Sequence, residues 1–309
     1  MQVLFACPRP DADVWLCELQ AALPAATFSI WNPDGPPSGA TMALVWQPPV
    51  SLFEHETALK TVFNLGAGVD ALLANPALPA HIDVVRLEDA GMAAQMTEYV
   101  IYAINRVIRN LGRYDEQKTR TEWRPLDEEP RAAWPVGVLG QGVVGARVAR
   151  TLAELGYDVA GWSRNPKTVQ GVHSFHGDAA LPDFLSRTRI LVNVLPATQD
   201  THRLIDRKLL DQLRPDGMVI NVGRGASLVQ DDLLAALDSA QVRAAALDVF
   251  EQEPLDPAHP LWSHPRVAIT PHIAARTLRG ETIRQIAGKV ERLARGEAIT
   301  GVVDRKRGY

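Results

Sequence analysis

VGVLGQGVVG, residues 136–145, decides the fold of this chain. Four residues that favour a short buried strand lead directly into three spaced glycines and a helical pattern. Gly140 permits a tight turn, Gly142 lets a pyrophosphate approach the backbone, and Gly145 lets the helix pack close to the strand. We therefore predict a dinucleotide site at the positively polarised N-terminus of the helix.

The residues that follow supply the context that such a glycine turn needs. Val148, Leu152 and Leu155 continue at helical spacing, and Gly156 ends the helix. Residues 158–162 then have the apolar character of a second strand. Because a glycine turn alone is common, the strand–turn–helix–strand order carries the prediction.

Strand-like and helix-like segments alternate along the whole chain. This alternation predicts an α/β protein with two doubly wound parallel-sheet domains, one a Rossmann dinucleotide-binding domain, and a cleft between them. A helical pattern runs from Met92 to Arg113, and residues 114–135 have no clear period and are interpreted as an arm or linker. We place the substrate domain, which is flavodoxin-like, at 1–97 plus 272–309, and the dinucleotide-binding domain at 98–271.

Composition excludes several classes of partner. The net charge of −4 and the scattered lysines and arginines argue against nucleic acid. Cys7 and Cys17 are the only cysteines, too few for a disulfide framework and without metal-ligand spacing. No segment reaches the roughly 18 apolar residues of a membrane span. We expect a cytoplasmic protein that binds no metal, nucleic acid or membrane.

The end of the second strand indicates which nicotinamide cofactor binds. An NAD site usually carries Asp or Glu there, whereas this sequence continues Ser163-Arg164-Asn165-Pro166-Lys167. Ser163 can donate a hydrogen bond to a 2′-phosphate, and Arg164 and Lys167 supply positive charge. We predict NADP(H); a solvated basic turn is the alternative.

A second glycine stretch, Leu65-Gly66-Ala67-Gly68, follows a predicted strand and precedes a helix. Its backbone N–H groups can point at a carboxylate because glycine adds no Cβ. A strand-to-helix turn without a ligand is an equally good interpretation from this stretch alone.

Three further stretches carry chemically useful side chains: VGRG at 222–225, LDVFEQEP at 247–254 and TPHIAA at 270–275. Together with LGQGVVG they resemble the D-isomer-specific 2-hydroxyacid dehydrogenases, over most of the chain from Gly66 onward. GWSRNPK, LDVFEQEPL, PLW, HPRV and TPHIAA are most similar to the glyoxylate/hydroxypyruvate reductase A branch.

This resemblance implies an NADPH-dependent reductase of short 2-keto acids that forms a homodimer. It implies that Arg224, Glu253 and His272 are catalytic and that Gly66 to Gly68 help to hold the substrate carboxylate. The expected substrate-binding residues are Trp46, Leu65, Gly66, Ala67, Gly68, Arg224 and His272. The expected cofactor-binding residues are Gly140, Gln141, Gly142, Val143, Val144, Gly145, Ser163, Arg164, Lys167, Leu195, Pro196, Val222, Asp248 and Ala274.

The chemistry of the three expected catalytic residues agrees with these roles. Arg224 is permanently charged and can grip a carboxylate and polarise a ketone. His272 can act as a general acid near neutral pH, and Glu253 is the carboxylate expected to pair with it. Each also has an ordinary interpretation, as a surface charge, a structural histidine and a loop residue; their joint occurrence beside a dinucleotide turn favours catalysis.

Other interpretations stay open within the same sequence. Glu253 argues against a formate dehydrogenase, where the resemblance would imply Gln. Trp46, Met92 and Trp123 are candidates to narrow the substrate pocket, Trp123 from a sister subunit, or are ordinary core or surface residues. Another D-2-hydroxyacid dehydrogenase, or a nucleotide-sensing corepressor-like module, would fit much of the same pattern.

Overall fold

The computed structural model describes residues 1–308 and separates into two compact units. One comprises Met1–Met92 together with the residues from Arg276 onward, and the other is Ala93–Ala275. The domain limits expected from the sequence, 1–97 plus 272–309 and 98–271, differ from these by a few residues and stay a prediction, as does the cleft.

The first unit contains a five-stranded parallel sheet. Its strands are β1 Gln2–Ala6, β2 Thr27–Ile30, β3 Met42–Val45, β4 Thr61–Asn64 and β5 Asp83–Val85. Their spatial order is β2-β1-β3-β4-β5, which is the flavodoxin-like order. The helices of this unit are α1 Ala12–Ala22, α2 Val50–His55, α3 Asp70–Leu73 and a C-terminal helix, Arg279–Ala294.

The second unit contains a seven-stranded parallel sheet. Its strands are β6 Val136–Leu139, β7 Val159–Ser163, β8 His173–His176, β9 Ile190–Asn193, β10 Gly217–Asn221, β11 Val242–Leu247 and β12 Val267–Ile269. They lie in the order β12-β11-β10-β9-β6-β7-β8, the doubly wound Rossmann order with the switch point between β6 and β9. Its helices are α4 Met92–Ile108, whose first residue belongs to the first unit, α5 Leu111–Thr119, α6 Val143–Glu154, α7 Leu181–Ser186, α8 Arg207–Leu210 and α9 Gln230–Asp238.

The predicted fold class, two doubly wound parallel-sheet domains of α/β type, is confirmed. The central strands β3, β4, β6, β9 and β10 are buried along their whole length. Continuous burial is what a parallel sheet covered by helices on both faces requires, because neither face meets water. No helix within residues 1–308 combines the length and the apolar character of a membrane span.

The predicted helix Met92–Arg113 and the linker after it need correction. Helix α4 ends at Ile108, Asn110 has a left-handed backbone (φ 54°), and α5 then continues to Thr119. Asparagine tolerates this conformation, and its side chain donates to the carbonyl of Asp127 at 3.0 Å. The apolar period passes through such a break unchanged, so the pattern alone suggested one helix.

Two smaller differences concern α2 and β8. The sequence predicts a helix over residues 51–60, whereas α2 ends at His55. The edge strand His173–His176 was not predicted. The residues of β8 are partly or fully exposed, so this strand lacks the apolar run that identifies a central strand.

Candidate active site

The glycine turn after β6 has the geometry that a bound pyrophosphate needs. Gly140 has φ 101°, a backbone conformation that favours glycine. A Cβ on Gly145 would lie 1.8 Å from the Gly140 carbonyl oxygen, so only glycine allows α6 to start this close to the strand. A Cβ on Gly142 would meet no heavy atom within 4 Å. The turn is therefore closed behind Gly145 and open at Gly142, where α6 begins, and it fits a dinucleotide.

Gln141 turns its side chain toward the sheet. A Cβ on Gly161 in β7 would lie 2.3 Å from the Gln141 Cδ, and the Gln141 Nε2 donates to the carbonyl of Val138 at 3.5 Å. The residue is 5% exposed.

The basic segment after β7 is held by contacts within its own unit. Ser163 Oγ donates to the carbonyl of Asn165 at 2.8 Å, and Arg164 Nη1 donates to Asp200 Oδ2 at 2.6 Å. Lys167 is exposed. Asp200 lies 36 residues from Arg164, and no sequence pattern linked the two. The arginine expected to meet a 2′-phosphate thus has a carboxylate beside it in this structure.

Two buried asparagines, which the sequence did not single out, organise the ends of β9 and β10. Asn193 Nδ2 donates to Asn221 Oδ1 at 2.9 Å and to Ser227 Oγ at 2.7 Å, and its Oδ1 accepts from the Leu195 amide at 3.2 Å. Both side chains are fully buried. An asparagine ending each of two apolar strands was the available signal, because a buried amide must find partners.

The asparagine network fixes the backbone of Arg224. Its carbonyl accepts from Asn221 Nδ2 at 3.1 Å and from Ser227 Oγ at 2.6 Å, and its Nη1 donates to the carbonyl of Gly223 at 2.8 Å. A Cβ on Gly225 would lie 1.8 Å from the Phe250 carbonyl carbon, so this glycine is needed for close approach. The guanidinium stands on a rigid loop at the end of β10.

His272 and Glu253 form the pair that the sequence predicted. His272 Nδ1 lies 2.7 Å from Glu253 Oε2, and Glu253 Oε1 accepts from the Phe250 amide at 3.0 Å. A carboxylate only accepts, so Nδ1 carries a proton and Nε2 is the ring nitrogen left to face a substrate. The side chains are 48% and 36% exposed, so a small molecule can reach them.

The loop that carries His272 is tied to Asp248. The carboxylate of Asp248 accepts from the amides of Ile273 and Ala274, each at 2.8 Å, and its main-chain oxygen accepts from the His272 amide at 2.8 Å. Asp248 is 1% exposed. Its carboxylate therefore orders this loop, whatever else it contacts when a cofactor is bound.

The remaining expected cofactor residues of the second unit surround these strand ends. The side chains of Leu195, Val222 and Ala274 are buried. Val143 is 59% exposed at the first turn of α6. Carboxyl ends of parallel strands share one edge of a sheet, so β6, β7, β9, β10, β11 and β12 direct their loops to the same edge. This edge, with Gly140, Arg224, Glu253 and His272, is the candidate active site.

The expected substrate residues of the first unit form a separate group. A Cβ on Gly66 would lie 2.2 Å from the Trp46 ring, and Asn64 Nδ2 donates to the carbonyls of Gly66 and Gly68 at 3.0 and 2.8 Å. The Leu65 carbonyl accepts from Thr277 Oγ1 at 3.1 Å. Because α3 is a single turn, the helix-terminus contribution expected after Gly68 is small.

Residues 101–274 match the family described as D-isomer specific 2-hydroxyacid dehydrogenase, NAD binding domain. The chain is 44% identical to glyoxylate/hydroxypyruvate reductase A of Yersinia enterocolitica and of Klebsiella pneumoniae, over 100% of this chain and of each relative.

Two solved structures are similar to this chain over its whole length. A D-isomer specific 2-hydroxyacid dehydrogenase from Xanthobacter autotrophicus, in complex with NADPH and MES, has a TM-score of 0.94 and 38% identity, over 100% of this chain and 99% of that one. An NADPH-dependent glyoxylate/hydroxypyruvate reductase from Sinorhizobium meliloti, in complex with NADP and sulfate, has a TM-score of 0.92 and 34% identity, with the same coverage.

Proposed function

This chain belongs to the D-isomer-specific 2-hydroxyacid dehydrogenase family, and from that premise we propose that it is an NADPH-dependent reductase of short 2-keto acids. The proposed reactions are glyoxylate to glycolate and hydroxypyruvate to D-glycerate. The observation that carries the proposal is the 2.7 Å contact between His272 Nδ1 and Glu253 Oε2, in the unit that also holds the glycine turn. Relatives named for these reactions, 44% identical over their whole length, support it.

NADP(H) is the cofactor of the proposed enzyme. When bound, it supplies the hydride for the carbonyl carbon. Open space at Gly142 and the backbone at the start of α6 would hold its pyrophosphate, and Ser163, Arg164 and Lys167 would hold its 2′-phosphate. The relatives solved with NADPH and NADP support this choice.

His272 is the proposed general acid. The proton on its Nε2 is transferred to the carbonyl oxygen as the carbonyl group becomes an alcohol, and Glu253 holds the ring through Nδ1. Arg224 provides a fixed positive charge for the substrate carboxylate and the polarised carbonyl. The chain's own groups thus supply a proton and an anion clamp.

The backbone of Gly66 to Gly68 and the Trp46 ring are the proposed contribution of the first unit. Asn64 donates to two carbonyls of this turn and so holds its backbone. The backbone amides of the turn are the groups proposed to bind an anion. Trp46 limits the size of the acid because its ring already covers Gly66. We also propose a cytoplasmic homodimer without nucleic-acid or membrane partners, on the composition and the family resemblance.

Steady-state kinetics test the proposal. NADPH oxidation is followed with glyoxylate, hydroxypyruvate and pyruvate in parallel, and then with NADH in place of NADPH. We expect turnover with glyoxylate and hydroxypyruvate and a lower KM for NADPH than for NADH. Absence of turnover with all three acids, together with intact NADPH binding, would favour the binding-module alternative.

A further inference from the structure

We propose that Thr270 and Tyr99 are positioning residues for His272 and that they act through the buried carboxylate of Asp248. The inference rests on the proposed role of His272 as proton donor. It concerns two hydroxyl groups whose described hydrogen bonds involve neither Glu253 nor the His272 ring.

Asp248 holds the backbone of the His272 loop. Three consecutive amides, those of His272, Ile273 and Ala274, donate to this one residue, each at 2.8 Å. His272 has φ 54°, a conformation that non-glycine residues adopt only when their surroundings impose it. The hydrogen bonds to Asp248, together with one from the His272 amide to the Thr270 carbonyl at 3.1 Å, hold the backbone in this conformation.

The Asp248 carboxylate is held in turn by the hydroxyl group of Thr270, which contacts that of Tyr99. Thr270 Oγ1 donates to Asp248 Oδ1 at 2.6 Å, and the Tyr99 hydroxyl lies 2.7 Å from Thr270 Oγ1. The single proton of Thr270 is committed to the carboxylate, so Tyr99 is the donor in the second contact. Burial raises the pKa of Tyr99, so its hydroxyl stays protonated and can donate this hydrogen bond.

The result is a directed chain from Tyr99 in α4 to Thr270 after β12, then to Asp248 after β11, and finally to the amides beside His272. Hydrogen bonds in such chains polarise one another, and those to a charged acceptor are the stronger ones. Without the Thr270 hydroxyl, the carboxylate can rotate and the loop can leave the strained backbone that presents the ring to Glu253.

Isosteric variants separate positioning from packing. Thr270→Val keeps the shape and removes the hydroxyl, Thr270→Ser restores the hydroxyl, and Tyr99→Phe removes the first donor. Tyr102→Phe is the matched control, because Tyr102 lies on the same helix and is 58% exposed. For each variant we would measure kcat, KM for NADPH and for the keto acid, and amide hydrogen exchange at residues 272–274 without ligands.

We expect Thr270→Val to lower kcat about tenfold, as for loss of a hydrogen bond to a charged group, with both KM values within about twofold. Tyr99→Phe should lower kcat about threefold, and Thr270→Ser should stay within about twofold of the wild type. The amides of Ile273 and Ala274 should exchange faster in Thr270→Val and Tyr99→Phe and normally in Tyr102→Phe.

Wild-type exchange and wild-type kcat in Thr270→Val would overturn the inference. Failure of Thr270→Ser to restore kcat would also overturn it, because that result indicates packing. A rise in KM for NADPH that parallels the fall in kcat would overturn it as well, because that result indicates a role in cofactor binding. Should Thr270→Val not fold, Tyr99→Phe carries the same test. Should the protein reduce no keto acid, unchanged exchange at 273 and 274 alone would refute the chain of hydrogen bonds.

Discussion

Glu253 divides its two carboxylate oxygens between structure and chemistry. Oε1 accepts from the Phe250 amide at 3.0 Å, and Oε2 contacts the His272 ring at 2.7 Å. The first contact fixes the direction of the side chain, so the second does not depend on a mobile carboxylate.

Glu253→Gln keeps this shape and removes the charge. We expect kcat to fall about tenfold, because the hydrogen bond from the ring to a charged acceptor is replaced by one to a neutral amide. Steady-state kcat of the wild type and the variant would check this fall. Glu251→Gln is the control, because Glu251 is exposed in the same loop; an unchanged kcat in Glu253→Gln would remove the pairing from the mechanism.

Arg164 and Asp200 form an exposed ion pair, 2.6 Å between Nη1 and Oδ2 and 42% and 68% exposed. A bound 2′-phosphate would compete with Asp200 for the guanidinium, so the two residues should have opposite effects on the cofactor. Exposed pairs of this kind are weak, which lets the arginine change partners at little cost.

We therefore expect Arg164→Ala to raise the KM for NADPH about tenfold, because a charge-assisted hydrogen bond to phosphate is lost. Asp200→Asn should lower that KM by up to about fivefold, the range of one exposed ion pair. The KM for NADH, which has no 2′-phosphate, serves as the internal control in both variants. Equal changes for NADPH and NADH would show that Arg164 does not read the phosphate.

Among the helices, strands and turns, the sequence predicted mainly those that a run of apolar residues or a glycine identifies. The strands from β6 to β12 other than β8, and the turn at Gly140, followed from apolar runs and glycines. The break at Asn110 did not, because one left-handed residue leaves the apolar spacing intact. The asparagine network and the Arg164–Asp200 pair were also missed, since such contacts depend on which strand ends become neighbours.

The segment before β6, first interpreted as a linker, is fixed to the base of the sheet. Glu129 accepts from Arg189 Nη1 at 2.6 Å and from Arg243 Nη1 at 2.9 Å, and both arginines also pair with Asp216. The Arg189 guanidinium lies 3.7 Å from the centre of the Trp134 ring. The hydrogen bond from Arg189 is the main cause that lowers the pKa of Glu129, against some desolvation.

We expect Glu129→Gln to lower the apparent Tm by about 2–4 °C at neutral pH, as for loss of roughly 1 kcal/mol. A carboxyl pKa that is lower in the folded state contributes stability above its unfolded pKa, and this contribution is lost as the pH falls through the folded pKa. The difference between wild type and variant should therefore shrink in acid. Thermal unfolding of the wild type and the variant, at neutral pH and in acid, measures this difference in Tm.

Glu128→Gln is the matched control for that measurement. Glu128 is adjacent and accepts from the exposed Arg109 alone among the described contacts, so its loss should change the Tm by less than about 1 °C. Equal shifts in the two variants, or a difference for Glu129→Gln that persists in acid, would contradict the account of the segment.

At the scale of the whole molecule, family resemblance and physical pattern contributed differently. Alternation of strands and helices predicted the parallel sheets, and the resemblance supplied the expected roles of the site residues. The expected catalytic residues are spread over nearly 50 positions, from Arg224 to His272. The Rossmann order places β10, β11 and β12, the strands that precede these three residues, side by side.

His272 is proposed to donate the proton, and a variant that lacks the imidazole provides the strongest test of this role. His272→Asn is the variant of choice, because asparagine tolerates the left-handed backbone that this position requires. The measurement is kcat for glyoxylate reduction by the wild type and the variant, with the Kd for NADPH determined in parallel. The account predicts a kcat at least about 100-fold lower, with NADPH binding unchanged. A variant that turns over at the wild-type rate would contradict it.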